Sequence, residues 1–134
     1  MKYPVRISRR IIENDWLLMV PDLPGCQVIG QSIDVVYDGV NNVIADHLAI
    51  LAEYGEAIPH ASLLDKMIAE NTETNITWAI VDFDIVPYLG KSHKINVTLP
   101  ELLIKQIDDK VNKSEQYKTR SGFIALACVM QLTK

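Results

Sequence analysis

The chain has 134 residues, 49% of them hydrophobic, with 13 basic against 17 acidic side chains and a formal charge of −4. That length allows one ordinary domain, or a domain of about 90 residues with a small module, and that apolar share excludes a disordered chain. No run approaches the roughly 18 apolar residues of a membrane span, and "MKYPVRISRR" lacks a signal-peptide core, so a cytoplasmic protein meeting no membrane is expected.

"YPVRIS" and "WLLMVP" read as two strands, separated by "RRIIEND" with a turn at Asn14-Asp15. "CQVIG" is a third short strand. "PDLPG" (residues 21–25) joins the second to the third as a tight connection, with two prolines that lack N–H donors and a glycine that permits φ > 0. Ser32 can cap a helix whose first turn carries Asp34. Val36, Val40, Val43, Ile44, Leu48 and Leu51 then recur at helical spacing, and Gly55 followed by Pro59 closes the element, predicting one long helix over 33–54. Gly39 inside it costs about 1 kcal/mol relative to alanine. A shorter helix is expected over 62–70, with Ser62 and Asp65 at capping-box spacing.

"ITWAIVDFDIV" is the strongest strand pattern in the chain. Ala79, Val81, Phe83 and Ile85 line one face, and Trp78, Ile80, Asp82 and Asp84 the other. Composition shifts after it, which places a linker at 89–92 between units 1–88 and 93–134. The front unit is therefore α+β, a small sheet with one long helix on a face.

The two units differ in charge. Residues 1–90 carry 13 acidic and 5 basic side chains, net −8, while residues 91–134 carry 4 acidic and 8 basic, net +4. A basic tail suits an anion such as nucleic acid, and an acidic front suits a basic protein. Cys26 and Cys128 form no CxxC, and His47, His60 and His93 show no ligand spacing, so no metal or other cofactor is expected.

Residues 93–132 read as strand, helix, helix. Ile95, Val97 and Leu99 point to one side of the strand, Lys94, Asn96 and Thr98 to the other. The first helix offers Leu103, Ile104, Ile107 and Val111 for burial. The second starts near Thr119 or Ser121 and offers Phe123, Ile124, Ala127, Cys128 and Met130. About 40 residues with one unpaired strand cannot be stable alone. Two copies pairing their strands antiparallel would solve both problems, so a homodimer is expected.

A two-stranded ribbon fits the DNA major groove. "KINVTLPE" (94–101) and "TRSGFIALAC" (119–128) resemble the ribbon-helix-helix repressors. That resemblance implies base reading by Lys94, Asn96 and Thr98, and a phosphate seated at Thr119, Arg120 and Ser121. Thr98 has a competing reading as a helix cap three residues before Glu101. Arg120 has one as a plain surface charge, and Lys94 and Asn96 have one as solvated edge-strand residues.

"VPDLPGCQVIGQS" (20–32), the long helix and "EYGEAIP" (53–59) resemble the HicB antitoxin family, over roughly residues 3–85. The resemblance implies a partial ribonuclease-H-like fold. It also implies binding and blocking of a HicA-like mRNA-cleaving toxin, repression of its own operon through operator DNA, and no enzymatic activity. Asp22, Trp78, Asp82 and Asp84 are the candidate toxin contacts, with a solvated face as the other reading of Asp82 and Asp84. Pairing of the front units would extend the dimer to a tetramer. Two other classes stay open: a repressor whose front unit senses a small molecule, and a nuclease using Asp15, Asp22, Asp82 and Asp84 as a metal-binding set.

Overall fold

The computed structural model describes residues 1–133, and the chain divides into two compact units, Met1–Leu89 and Gly90–Lys134. The first holds strands β1 (Lys2–Arg10), β2 (Asp15–Met19) and β3 (Gln27–Gly30), helices α1 (Ile33–Glu53) and α2 (Leu64–Glu70), and strand β4 (Thr77–Asp82). All neighbours pair antiparallel in the order β3-β2-β1-β4.

Register sorts the side chains onto two faces, because residues directly opposite in an antiparallel pair share a side. Tyr3 faces Val81, Val5 faces Ala79, Ile7 faces Leu18, and Leu18 faces Val28. Tyr3, Val5, Ile7, Leu18 and Val81 are buried. Against this face lies α1, whose buried stripe is Val36, Val40, Ile44 and Leu48. Each such side chain contributes about 1.5–3 kcal/mol by leaving water. A Cβ built on Gly39 would lie 3.1 Å from Val28 Cγ1, so the glycine answers a close approach of helix to sheet. Its helical cost is local and its benefit is not.

The predicted punctuation works. Ser32 Oγ accepts from Val35 N–H at 3.1 Å and caps α1. At the other end Gly55 has φ 66°, with Gly55 N–H donating to Ala52 O and Glu56 N–H to Leu51 O, a Schellman closure. Pro4 sits in an inner strand without breaking it. Met1 and Phe83 exchange both backbone bonds, which directs the odd-numbered N–H groups of β1 to β4 and leaves Pro4 facing β2. Pairing with β2 begins only at Arg6, so no bond is lost.

Several boundaries differ from expectation. β1 runs through Arg9 and Arg10, which pair with Trp16 and Asp15. The strand expected over 76–86 ends at Asp82, and Val86–Tyr88 form a 3₁₀ turn. Phe83 and Tyr88 pack there at 5.9 Å, and Ile85 is buried although it lies beyond the strand. The capping box at Ser62 does not form. Leu63 is the N-cap of α2 without a side-chain bond, because Ser62 is bound elsewhere.

The second unit holds α3 (Glu101–Lys113) and α4 (Arg120–Leu132). Residues 91–100 form no regular element, and the strand expected over 94–99 is absent from the single chain. A strand is defined by its ladder, and this segment has no ladder partner among the described residues. Of the apolar residues expected to be buried in this unit, only Ile107 is; Leu103, Ala127, Cys128 and Met130 are exposed. Tyr117 and Phe123 meet edge to face at 5.0 Å.

Candidate DNA-binding and partner-binding surfaces

In the basic unit, Lys94, Asn96 and Thr98 are all exposed. So are Ile95 and Val97 between them, at 78% and 62%. The segment thus leaves both sides in water, and one of them is apolar. Thr98 is not the cap of α3. Pro100 holds that position with no side-chain bond, so the box with Glu101 does not form.

The start of α4 is built differently from a bare anion seat. Thr119 is the N-cap and its Oγ1 accepts from Gly122 N–H at 3.0 Å, which uses one of the helix's free donors. Ser121 is exposed. Arg120 is no free surface charge: Nε donates to Asp108 Oδ1 at 3.0 Å and Nη2 to Oδ2 at 2.8 Å. These charge-assisted bonds hold the Asp108 carboxyl below its usual range and push the guanidinium up. Nothing in the spacing of Asp108 and Arg120 announced this pair, because they belong to different helices.

In the acidic unit, the four carboxylates of the candidate metal set serve separate ends. Asp15 forms a fork with Arg10, with both bonds at 2.6 Å, and that hydrogen bonding pulls its carboxyl below the usual range. Asp22 binds Ser62 through both oxygens. Asp82 lies 3.7 Å from the Met1 ammonium, and Asp84 Oδ1 accepts from Val86 N–H at 3.0 Å. Among the described residues, no three His, Cys, Asp or Glu side chains gather as a metal site.

The face of the sheet opposite α1 carries Leu17, Met19, Ile29, Trp78, Ile80 and Asp82. Ile29, Ile80 and Asp82 are exposed and the others half-buried. The Arg6–Glu73 ion pair, 2.7 Å, borders Trp78 through the register of Arg6. This mixed surface contains the expected contacts Trp78 and Asp82. Asp22 and Asp84 lie outside β1–β4, each bound within the unit.

The sequence profile described as "HicB_like antitoxin of bacterial toxin-antitoxin system" matches residues 3–128, spanning both units. The chain belongs to the HicB-like antitoxins. The crystal structure of the Burkholderia pseudomallei antitoxin HicB resembles it over 98% of both chains, with TM-score 0.72 and 29% identity. A protein of Haemophilus phage HP1 (strain HP1c1), an uncharacterized 14.9 kDa product of the rep-hol intergenic region, is 29% identical over 125 residues, 93% of this chain and 92% of its own length. At the level of fold, a chain of the HicA3 and HicB3 toxin-antitoxin complex matches with TM-score 0.53 and 21% identity, covering 63% of this antitoxin and 99% of that chain. No helix among the described residues of the antitoxin is long and apolar enough to cross a membrane.

Proposed function

We propose that this antitoxin neutralises a HicA-like ribonuclease through its front unit and represses its own operon through a DNA-binding ribbon made by two copies of its back unit. The observation that carries the DNA half is the segment 94–99. It lacks a ladder partner, exposes Ile95 and Val97, and belongs to the basic part of an otherwise acidic chain. A second copy supplies both missing things: backbone partners for the strand and cover for its apolar side. The paired ribbon then offers Lys94, Asn96 and Thr98 to a major groove, where lysine donates to guanine, asparagine pairs with adenine and threonine touches thymine. Release of Thr98 from capping leaves it available for that role.

The toxin half rests on family membership and charge. A protein that handles RNA is expected to be basic, and residues 1–90 carry net −8. Trp78 and exposed Ile80 give that partner an apolar anchor, with Asp82 beside them as an acidic contact. The reading assigns no catalysis and no cofactor to the chain.

One preparation tests both halves. The full chain is co-expressed with the open reading frame adjacent to its gene, and any copurified complex is assayed for RNA cleavage and for a gel shift on the DNA upstream of the pair. The expected result is a stable complex, silent toward RNA, that shifts this DNA and not a random duplex of equal length. Active toxin alongside excess antitoxin overturns the first half, and no shift overturns the second.

A further inference from the structure

The guanidinium of Arg120 uses one edge and keeps the other. An arginine has five N–H donors in a rigid plane. The side-on fork to Asp108 consumes the Nε–H and one Nη2–H, leaving both Nη1 hydrogens and the second Nη2 hydrogen unspent among the described residues. Arg120 is the first residue of α4, directly after the Thr119 cap, and its side chain stays 53% exposed. Asp108 sits on α3, so the fork also fixes the guanidinium relative to both helices of the unit.

We infer that Asp108 is a positioning residue for DNA binding: it clamps the Nε–Nη2 edge of Arg120 so that the Nη1 edge meets a DNA phosphate. This rests on the DNA-binding reading above. A free arginine must be ordered at the moment of binding, whereas the clamped one is ordered by folding. That difference is worth about two- to twelvefold in affinity per side chain. Asp108 is a negative charge beside a phosphate-binding group, so by charge alone its removal tightens DNA binding. By positioning, its removal weakens it.

The test uses the full chain with Asp108→Asn, Arg120→Ala, the double variant and Asp108→Glu. Each is titrated against the upstream DNA and a random duplex across a range of salt, after a thermal melt has shown that it folds. Asp108→Asn is expected to weaken both duplexes about two- to twelvefold. Arg120→Ala weakens them further and flattens the salt dependence by about 0.9 in log–log slope for each phosphate that is no longer neutralised. In the Arg120→Ala background Asp108→Asn no longer weakens binding, which a role of Asp108 independent of Arg120 would not produce, and a merely structural role would lower the thermal melt in step with binding. Asp108→Glu, which keeps the carboxylate, recovers part of the loss. Wild-type binding with an unchanged or tighter Asp108→Asn overturns the inference alone. A wild-type chain that binds neither duplex overturns the DNA-binding reading, and the inference with it.

Discussion

Asp22 grips Ser62 with both carboxylate oxygens: Oδ1 accepts from the hydroxyl at 2.6 Å and Oδ2 from the backbone N–H at 2.8 Å. The two residues are 40 positions apart, and the clamp ties the turn after β2 to the segment that follows α1. Tyr3 adds a bond from its hydroxyl to Pro59 O at 2.8 Å. Removing the carboxylate leaves a partly buried N–H without its acceptor. Asp22→Ala is therefore expected to destabilise the front unit by about 1–3 kcal/mol. A denaturant melt checks this, and a midpoint equal to wild type means that the clamp contributes nothing.

Gly39 gives α1 room against Val28. A valine there puts a branched side chain where a Cβ alone already comes within 3.1 Å of Val28 Cγ1. Gly39→Val should lower stability by about 1–3 kcal/mol through overpacking. A melt unchanged or raised would mean that α1 is free to lift off β3.

The apolar side of segment 94–99 predicts assembly. Val97→Glu puts a charge where two copies are proposed to pair. The expected result is a shift from dimer toward monomer in sedimentation at equal concentration, with loss of the DNA shift. The circular dichroism of the front unit should persist, since Val97 lies outside it. A variant that sediments like wild type shows that the copies meet elsewhere.

Asn96→Ala should relax discrimination at one base pair of the operator by about 1–3 kcal/mol. Competition between operator and point-substituted operators measures this. An unchanged preference at every position removes Asn96 from base reading.

Stability should fall in alkali. Burial pushes the Cys26 thiol up from 9.0 to about 11, and burial together with the Asp22 charge pushes Tyr3 from 10.0 to about 12. Between each pair of values the unfolded chain has released a proton that the folded chain retains, so stability falls as pH rises. The loss begins near pH 9 with the thiol and continues toward pH 12 with the phenol. Tyr3→Phe should abolish the upper part of this decline in pH-dependent melts, leaving the part due to Cys26.

Much of the front unit was legible residue by residue. The period of Val36, Val40, Ile44 and Leu48 located α1 and its buried stripe, and Ser32 and Gly55 located its ends. The alternation through Ala79, Ile80 and Val81 assigned the faces of β4. Errors arose where a local motif had a distant competitor. Ser62 had the spacing of a cap but is held by Asp22, and Thr98 had the same spacing but yields to Pro100. The end of β4 was overrun because its apolar alternation continues into Phe83, which still exchanges backbone bonds with Met1, and into Ile85, which is buried beyond the strand.

What the sequence determined by itself is periodic and local: the helices and most strands of the front unit, which side of each is apolar, the ends of α1 at Ser32 and Gly55, and how charge divides between front and back. These follow from side-chain order along one element, which the chain carries explicitly. Only the tertiary structure decided which polar groups find each other. Asp22 with Ser62, Arg120 with Asp108 and Asp15 with Arg10 join different elements, and their pairing depends on distances that exist only after packing. The same holds for Gly39, a helix defect along the chain and a point of contact across it.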